Sequence, residues 1–391
     1  MDARTLERLT KGELPSPCFV LDEDALRANA ALLDKVQARS GAKILLALKG
    51  FAMWRLFPLL SRAKGSGPLW GCCASSPHEA RLAREEFGGE VHAFAAAYAD
   101  DDLRAILPYA DHVVFNSFAQ WRHFKNMVRD CGRPVSCGIR VNPEHSEVSV
   151  ALYNPCAPGS RLGVRRRHFD PDALDGISGL HFHTLCEQGA DALERTLSAF
   201  EKAFGDVLHG MQWVNFGGGH LITRQDYDVD LLCACIERIS TRYRVQVYLE
   251  PGEAVALDAG WFVSTVLDVV EAEPAVAVLD CSIACHMPDV LDMPYRPHVV
   301  GSGLPGEKEY TYALAGKSCL AGDVIGEHYS FGAPLSRGDR LIFTDMAHYS
   351  MVKTTTFNGL TLPAILRYRA AKDELETARV FGYEDYKGRL A

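Results

Sequence analysis

The stretch that decides the fold reads Lys43-Ile44-Leu45-Leu46-Ala47-Leu48-Lys49. This apolar run is too short for a helix, and it predicts a buried strand over Ile44–Lys49. An amine at the mouth of a dry site is poorly solvated, which disfavours its ammonium form and leaves a nucleophile suited to an imine with a carbonyl. A lysine at a strand end can also simply extend into water. The hypothesis for Lys49 therefore depends on what the later strands carry.

Seven further apolar runs alternate with helical patterns up to about residue 255. Between them lie stretches such as Ser76–Phe87, in which Glu79 stands at capping-box distance from Ser76. Strands that alternate with helices pair in parallel through right-handed crossovers, and eight such units predict a closed (β/α)8 barrel of the TIM type. An open doubly wound sheet is the alternative. The seven strands are Leu69–Ser75, Val91–Ala96, His112–Ser117, Ser136–Asn142, Ile177–His183, Gln212–Gly217 and Val245–Glu250.

Beyond residue 255 the pattern becomes rich in β-structure without long helical stretches, which favours a mainly antiparallel second domain. The opening segment, residues 16–21, also reads as a strand that could join this domain. We therefore expect a barrel over residues 22–258 and a discontinuous β-domain formed by residues 1–21 and 259–391. The predicted later strands are Trp261–Glu271, Ala275–Asp280, Tyr310–Leu314 and Asp339–Thr344.

Composition indicates a globular enzyme-sized chain. Its 391 residues are 48% hydrophobic and 23% charged, which suits two domains. A formal net charge of −9 argues against nucleic acid or an anionic membrane as a partner. We see no membrane-spanning run and no signal-peptide core. The twelve cysteines include no C-x-x-C pair, so we expect reduced thiols and a cytoplasmic location.

Chemically useful side chains recur where the predicted strands end. In a (β/α)8 barrel these ends meet at one face, where the chemistry lies. A run of three glycines lets backbone N–H groups approach a phosphate, and a carboxylate can hold a proton on a pyridine nitrogen. The second arrangement makes pyridoxal phosphate an electron sink. The strand ends carry Lys49, Ser75, Asn116, Arg140, Asn142, His181, His183, Gly217, Gly218, Gly219 and Glu250.

Each of these signals has another interpretation. The glycine run can be only a tight turn, and Glu250 can be a salt-bridged strand end. His181 and His183, with Cys186 three residues on, can ligate zinc because alternate residues of a strand share a face. A zinc site needs further ligands, however, and the sequence offers no obvious spaced pair. We therefore expect no metal.

Several motifs together resemble one family. From about Pro15 to Asn358 the chain resembles the fold-type III pyridoxal-phosphate decarboxylases, which include ornithine, diaminopimelate and carboxynorspermidine decarboxylases. The resemblance implies an alanine-racemase-like fold and pyridoxal 5′-phosphate as cofactor. The motifs are Ala47-Leu48-Lys49, Gly179-Leu180-His181-Phe182-His183, Phe216-Gly217-Gly218-Gly219, Glu250-Pro251-Gly252, Lys317-Ser318-Cys319 and Phe357-Asn358-Gly359.

The resemblance also implies residue roles. Lys49 would form the imine with the cofactor, and His183 would stack on its ring. Glu250 would pair with the pyridine nitrogen, while Cys319 from a second subunit would return the proton to the α-carbon. This implies a homodimer with shared active sites. The phosphate would be held by Gly217–Gly219 and Tyr349, and Arg140 is a further candidate for cofactor binding.

Three departures from the family pattern bear on the substrate. Glu253 stands where relatives carry a phosphate-binding arginine, Cys186 where ornithine decarboxylase has a serine, and Leu320 where relatives place a substrate-reading acid. Recognition of the far amine must therefore come from elsewhere. The candidate acids are Glu253, Asp289 and Asp323, each of which could instead be only a loop residue.

The segments 286–296 and 319–323 resemble the carboxynorspermidine decarboxylases most closely. The substrate implied is a polyamine-like α-amino acid, carboxynorspermidine or carboxyspermidine, and the product is norspermidine or spermidine. Acidic groups suit such a long cationic chain. The alternatives are decarboxylation of diaminopimelate or another basic amino acid, amino-acid racemisation, and a non-catalytic relative that binds the cofactor.

Overall fold

The computed structural model describes residues 1–391. The chain divides into two compact units, residues 27–255 and residues 1–26 with 256–391. No helix has the length and apolar character needed to cross a bilayer.

The strands are numbered here in chain order. They are β1 (Cys18–Asp22), β2 (Lys43–Ala47), β3 (Gly71–Ala74), β4 (Glu90–Phe94), β5 (His112–Phe115), β6 (Ser136–Asn142), β7 (Val164–Arg165), β8 (Ile177–His181), β9 (Trp213–Asn215), β10 (Gln246–Leu249), β11 (Gly260–Val270), β12 (Ala275–Leu279), β13 (Tyr310–Ala315), β14 (Tyr329–Phe331), β15 (Arg340–Thr344), β16 (Ala364–Arg369) and β17 (Glu374–Arg379).

The α-helices are α1 (Ala3–Lys11), α2 (Glu23–Ser40), α3 (Phe57–Leu60), α4 (Pro77–Leu82), α5 (Asp100–Ile106), α6 (Phe118–Arg129), α7 (Ala190–Leu208), α8 (Val229–Tyr243), α9 (Glu253–Ala256), α10 (Ile283–His286), α11 (Asp289–Asp292) and α12 (Tyr383–Lys387). A π-helical turn, Ala83–Phe87, continues α4. Short 3₁₀ turns occur at Trp54–Leu56, Ala151–Tyr153, Arg166–His168, Pro171–Ala173, Phe357–Gly359 and Ala370–Lys372.

Eight parallel strands close into a barrel. Their order around the ring is β2, β3, β4, β5, β6, β8, β9 and β10, and β10 pairs again with β2. The pairing of β5 with β6 completes the ring, while β7 only extends β6. The predicted closed (β/α)8 barrel is therefore confirmed, and the open doubly wound alternative is wrong. The predicted helix beginning at Ser76 is capped by that side chain, which accepts from the Glu79 N–H.

Large side chains fill the inside of the barrel, and they leave room only for glycine at two positions on neighbouring strands. A Cβ on Gly179 would lie 2.0 Å from the Trp213 ring, and one on Gly138 would lie 2.3 Å from it. Trp213 packs there with Leu45, Val114 and Tyr248. The interior is thus a packed core rather than a channel, so any chemistry must lie at a strand end.

The other unit is built on a mixed, mainly antiparallel sheet. Its order is β14-β13-β12-β11-β1-β16-β17, and β15 also pairs with β11. The opening strand β1 is central, antiparallel to β11 and parallel to β16. The predicted mainly antiparallel fold is confirmed. The core against this sheet includes Cys18, Val20, Trp261, Ile342 and Tyr368.

Candidate active site

Lys49 lies in a tight turn, two residues beyond the end of β2. The predicted strand Ile44–Lys49 is too long, because the N–H groups of Gly50 and Phe51 both donate to the Ala47 carbonyl and turn the chain there. The Lys49 side chain is exposed in this chain. The sequence predicted a poorly solvated amine at the end of a strand. That prediction is wrong, because Lys49 lies beyond the strand and is exposed.

The turn that carries Lys49 packs against the loop that follows β10. The Ala47 N–H donates to the Pro251 carbonyl at 3.0 Å. A Cβ on Gly50 would lie 2.8 Å from the Gly252 Cα, so only glycine permits this approach of two backbones. Closure of the barrel thus brings the first and last strand ends side by side.

A carboxylate with two side-chain donors occupies the last strand end. The Glu250 carboxylate accepts from Asn215 Nδ2 at 2.7 Å and lies 3.3 Å from His181 Nε2. Burial raises the pKa of Glu250, but the interactions with His181, His92 and Asn215 lower it to about 2. Burial also lowers the pKa of His181, so this ring is a neutral donor. The result is a fixed anion at the C-terminal face of the barrel.

Asn215 joins this carboxylate to the glycine run. Its Nδ2 donates to Glu250, and its Oδ1 accepts from the Gly217 N–H at 2.8 Å. The side chain is fully buried. Our sequence analysis missed Asn215. The signal was available, since a polar residue in an apolar strand just before a glycine run has no obvious structural role.

The His183 ring has its protonation fixed by the backbone. Its Nδ1 accepts from the Gly218 N–H at 2.8 Å, so the ring proton is on Nε2. Burial lowers the pKa of His183 well below its usual range, and the nearby Lys49 cation lowers it further. His183 therefore presents a neutral ring beside the Lys49 turn.

The three glycines lie in a bend and permit close backbone approach. Gly217 and Gly219 have φ values of 70° and 83°, which disfavour other residues. A Cβ on Gly218 would lie 2.5 Å from the Glu250 carbonyl oxygen, and one on Gly219 would lie 2.0 Å from that of Leu185. The Gly217 and Gly218 N–H groups already donate to protein acceptors. Two of the three amides are thus committed within the protein.

Arg140 is a buried cation behind His183. Its guanidinium donates to the His183 carbonyl at 3.2 Å and lies 4.6 Å from the centre of the Phe94 ring. Burial lowers the pKa of Arg140 to about 10, so it stays charged at neutral pH. Phe94 also stacks on His181, with ring centres 5.4 Å apart. Phe94 is a second residue that the sequence analysis missed.

The remaining polar strand ends hold loops. The Ser75 N–H donates to the Glu79 carboxylate at 2.6 Å. Asn116 donates to the Arg161 carbonyl and accepts from the Gly163 N–H, both at 2.7 Å. Asn142 donates to two carbonyls of the same segment, residues 155–162. These contacts favour a structural role for all three.

The zinc interpretation of His181, His183 and Cys186 has no support in the geometry. His181 Nε2 faces Glu250, and His183 Nδ1 accepts from a backbone N–H. Burial raises the pKa of Cys186 to about 11, which keeps its thiol protonated and a poor ligand.

A different group of potential metal ligands lies at the opposite, N-terminal end of the strands. The ligand atoms of Glu90, His92 and His112 are all within 4.8 Å of one another. There the Glu90 carboxylate already accepts from Lys43 and from the Tyr248 hydroxyl.

Two barrel residues that depart from the family pattern, Glu253 and Cys186, lie beyond the ends of strands β10 and β8. Glu253 begins α9 directly after the loop that follows β10 and is partly buried. Cys186 lies along the glycine run, since a Cβ on Gly219 would be 2.9 Å from its nitrogen.

The other unit holds Cys319 and Tyr349. Cys319 is exposed on the loop between β13 and β14, and its N–H donates to Asn358 Oδ1 at 2.9 Å. Tyr349 has a φ of 41°, a conformation that is strained for a side chain of this size. Asn358 is a third residue to which the sequence analysis gave no role.

The two candidate acids of this unit differ sharply. Asp289 Oδ2 accepts from the hydroxyl groups of Tyr295 and Ser350, both at 2.8 Å, whereas its buried Oδ1 has no partner. Asp323 is buried, and both of its carboxylate oxygens accept hydrogen bonds from the protein. The geometry therefore does not support Asp323 as a substrate contact, and it leaves the buried Oδ1 of Asp289 without a hydrogen-bond partner.

Comparison with known proteins places this geometry in a family. A family model described as "Pyridoxal-dependent decarboxylase, C-terminal sheet domain" matches residues 18–347. The chain belongs to this family. The resemblance predicted from the motifs is thus confirmed, and the cofactor of this pyridoxal-dependent decarboxylase is pyridoxal 5′-phosphate.

Several curated relatives of this decarboxylase align over nearly their whole length. It is 48% identical over 387 residues to the carboxyaminopropylagmatine decarboxylase of Synechocystis sp., which covers 98% of both chains. It is 43% identical to the carboxynorspermidine/carboxyspermidine decarboxylase of Campylobacter jejuni, over 96% of this chain and 99% of the relative. The enzyme of that name from Herminiimonas arsenicoxydans is 35% identical, with 97% and 100% covered.

Solved structures show the same architecture. The carboxynorspermidine decarboxylase of C. jejuni complexed with norspermidine superposes with a TM-score of 0.87 at 41% identity, covering 96% of this chain and all of the other. Diaminopimelate decarboxylase from Helicobacter pylori complexed with L-lysine gives 0.79 at 14% identity, covering 96% and 97%, which shows the fold alone.

Proposed function

We propose that this decarboxylase removes the α-carboxylate of carboxynorspermidine and carboxyspermidine, giving carbon dioxide with norspermidine and spermidine. The observation that carries the proposal is the near-complete superposition on the C. jejuni enzyme complexed with norspermidine. Two curated relatives with both activities in their name, at 43% and 35% identity, support it. The protein would then act in polyamine biosynthesis.

The barrel residues fit the cofactor on three observations. Lys49 offers an accessible amine for covalent attachment. The Glu250 carboxylate, with a pKa of about 2, is an anion at any physiological pH. The glycine run lets three backbone segments pack closely, because a Cβ at any of its three positions would collide with a neighbouring residue, and glycine amides carry no side chain that would keep a phosphate away. We propose that these groups hold the attachment point, the ring nitrogen and the phosphate end, respectively.

Bound pyridoxal phosphate supplies an electron sink for the bond that breaks at the α-carbon. We propose that Glu250 keeps a proton on the pyridine nitrogen, because an anion fixed by His181 and Asn215 favours the cationic ring. We assign the stacking contact to His183, since a neutral ring held by the Gly218 N–H can lie flat without repelling that cation.

The phosphate end must be bound differently from the arginine-based site of relatives. With the Gly217 and Gly218 amides committed, we propose Gly219 and Tyr349 as the phosphate contacts. Arg140 would act through its charge and by fixing the His183 carbonyl. The position of Cys186 along the glycine run is consistent with a site that has lost a hydroxyl donor.

We propose that Cys319 delivers a proton to the α-carbon of a second protomer, in a homodimer with shared active sites. Its thiol is exposed, and it is flanked by Leu320 and Phe357, whose side chains are 45% and 51% exposed. Exposed apolar side chains around a reactive group suit a surface that a partner covers. We assign the protein to the cytoplasm, since its twelve free cysteines suit a reducing compartment, and we expect neither nucleic acid nor membrane as a partner.

Asp289 is our first choice for the far amine of the substrate. Its unpartnered, buried Oδ1 is an incomplete hydrogen-bonding site that an ammonium group would complete. Tyr295 and Ser350 fix the other oxygen and so orient the carboxylate. Glu253 remains a second candidate on the barrel side.

One observation points to a second candidate substrate, carboxyaminopropylagmatine. The relative at 48% identity is named carboxyaminopropylagmatine decarboxylase. Agmatine carries a guanidinium, which is planar and prefers a carboxylate that can accept two parallel hydrogen bonds. Only one oxygen of Asp289 lacks a hydrogen-bond partner, and this favours an ammonium end over a guanidinium end.

The test is a direct competition. The purified holoenzyme is given carboxynorspermidine, carboxyspermidine, carboxyaminopropylagmatine and diaminopimelate, and carbon dioxide and the amine product are measured for each. We expect the first two to have the highest kcat/KM. Preference for carboxyaminopropylagmatine or for diaminopimelate would overturn the substrate assignment, and α-proton exchange without carbon dioxide would indicate racemisation. Cofactor binding without turnover of any substrate would indicate a non-catalytic relative.

A further inference from the structure

The loop that carries Cys319 is held unusually firmly for an exposed loop. The Gly316 N–H donates to the Asp323 carbonyl at 2.7 Å, and the Lys317 N–H donates to the Cys281 carbonyl at 2.9 Å. An isolated antiparallel bridge between residues 315 and 324 closes the base of the loop. The backbone on the N-terminal side of the thiol is therefore fixed to the sheet.

The next three amides are held by side chains. The Ser318 N–H donates to Asp323 Oδ2 at 3.2 Å, and the Cys319 N–H donates to Asn358 Oδ1 at 2.9 Å. The Leu320 N–H donates to the Ser318 hydroxyl at 3.3 Å. All five successive N–H groups from residue 316 to residue 320 thus have an acceptor, although the Cys319 side chain is exposed.

Asp323 ties this loop to a second segment. Its Oδ1 accepts from the Ser282 hydroxyl at 3.1 Å and from the Ala284 N–H at 2.9 Å, while Oδ2 accepts from the loop. The contact is tight, since a Cβ on Gly316 would lie 2.3 Å from Oδ2. A buried carboxylate that already accepts three hydrogen bonds from the protein is poorly placed to bind a substrate amine.

Asn358 holds the loop from the other side. It has φ 57° and ψ 15° within the short turn Phe357–Gly359, a left-handed conformation that asparagine tolerates better than most residues. Cys285 supports this turn, because its thiol donates to the Phe357 carbonyl at 3.6 Å and its carbonyl accepts from the Thr355 N–H at 2.8 Å. The unusual backbone aims the amide oxygen at the Cys319 N–H.

We propose that Asn358 and Asp323 are positioning residues that fix the Cys319 thiol for proton delivery. The inference rests on the role proposed above for Cys319. In that step the bond to the carboxylate breaks, carbon dioxide leaves, and the proton of the thiol forms the new C–H bond. Water then returns a proton to the thiolate. A donor that must reach one face of a carbon needs a fixed origin, and an exposed cysteine on a loose loop would not provide one.

The test uses two substitutions at Asn358 that both permit the left-handed backbone conformation. Asn358→Gly keeps the left-handed conformation but removes the acceptor, whereas Asn358→Asp keeps both. Asp373→Gly, at another residue of the same unit with a positive φ (52°), is the matched control. Hydrogen exchange of the holoenzyme is followed in the peptide covering residues 316–323. We expect exchange roughly 2- to 10-fold faster in Asn358→Gly, and wild-type exchange in the other two variants.

Turnover in D₂O supplies the functional readout. The wild type should place one deuterium at the α-carbon in a single configuration. Asn358→Gly should lower kcat about 10-fold and give a mixture of configurations, while its affinity for pyridoxal phosphate stays unchanged. Asn358→Asp should restore the wild-type kcat and the single configuration. Faster exchange with unchanged kcat and configuration would overturn the positioning role, as would an Asn358→Asp variant that behaves like Asn358→Gly.

Two further variants separate this inference from the proposed function. Full activity and a single configuration in Cys319→Ser would refute the role of Cys319 itself, whatever the exchange data show. If Asn358→Gly does not fold, Asp323→Asn takes its place, because an amide cannot accept at both of its positions. Unchanged exchange, kcat and labelling in that variant would overturn the inference.

Discussion

Substitution of Asn215 by leucine removes two buried hydrogen bonds while keeping the number and branching of the side-chain heavy atoms. The Glu250 carboxylate loses its donor at 2.7 Å, and the Gly217 N–H loses its acceptor at 2.8 Å. A hydrogen bond to a charged group contributes about 1.5–3 kcal/mol, and an unsatisfied buried N–H costs about 1–3 kcal/mol. We expect a loss of about 3–5 kcal/mol in the free energy of unfolding and a fall of about 10 °C in Tm.

The same substitution should change the pH dependence of stability and of kcat. The pKa of Glu250 is about 2, below its ordinary 4.5, so its ionised form stabilises the fold fully above pH 4.5 and loses this contribution as the pH falls toward 2. Loss of the Asn215 donor should raise that pKa, because this hydrogen bond favours the ionised carboxylate. The acid limb of kcat should move upward by the same amount, and the Tm difference from wild type should narrow below about pH 4.

Asn142→Leu is the matched control. It removes hydrogen bonds from a buried asparagine of another barrel strand that has no contact with Glu250. We expect a lower Tm in this variant but an unchanged acid limb and unchanged cofactor affinity. Thermal melts by circular dichroism and pH profiles of kcat measure these differences. If Asn215→Leu shifts the acid limb no more than Asn142→Leu does, the proposed link between Asn215 and Glu250 is refuted.

Three further substitutions test the site. Lys49→Ala should abolish borohydride-trapped cofactor attachment and lower kcat at least about 1,000-fold; attachment detected by mass spectrometry in this variant would contradict the role of Lys49. Gly218→Ala should weaken cofactor binding at least about 10-fold in a fluorescence titration, because its Cβ would lie 2.5 Å from the Glu250 carbonyl oxygen. The control Gly332→Ala should not weaken binding, because no atom lies within 4 Å of the position of its Cβ. Asp289→Asn should raise KM for carboxynorspermidine about 10-fold or more with little change in kcat, and an unchanged KM would exclude this contact.

The fold was largely predictable from sequence because apolar runs and helical periodicity determine a barrel locally. Strand ends were less predictable. The predicted strands extend to Lys49 and Glu250, whereas β2 ends at Ala47 and β10 ends at Leu249, because the backbone there bonds to neighbouring loops. The chemical types at the site followed from motifs, but Asn215 and Phe94 did not, since their roles depend on which strands become neighbours. The burial and hydrogen bonding of Asp323 likewise depend on contacts across the fold.

The central place of β1 in its sheet imposes an order on biosynthesis. Residues 18–22 leave the ribosome first, yet their two neighbours are residues 260–263 and 364–368. At about 5–20 residues per second, the later neighbour follows after roughly 20–70 s. The barrel strands all emerge within that interval, so one unit can be complete while Phe19 and Val20 still lack a partner on either side. A nascent chain with two unpaired strand edges can pair wrongly with other chains, and this exposure ends only when residues 364–368 have emerged and paired with β1.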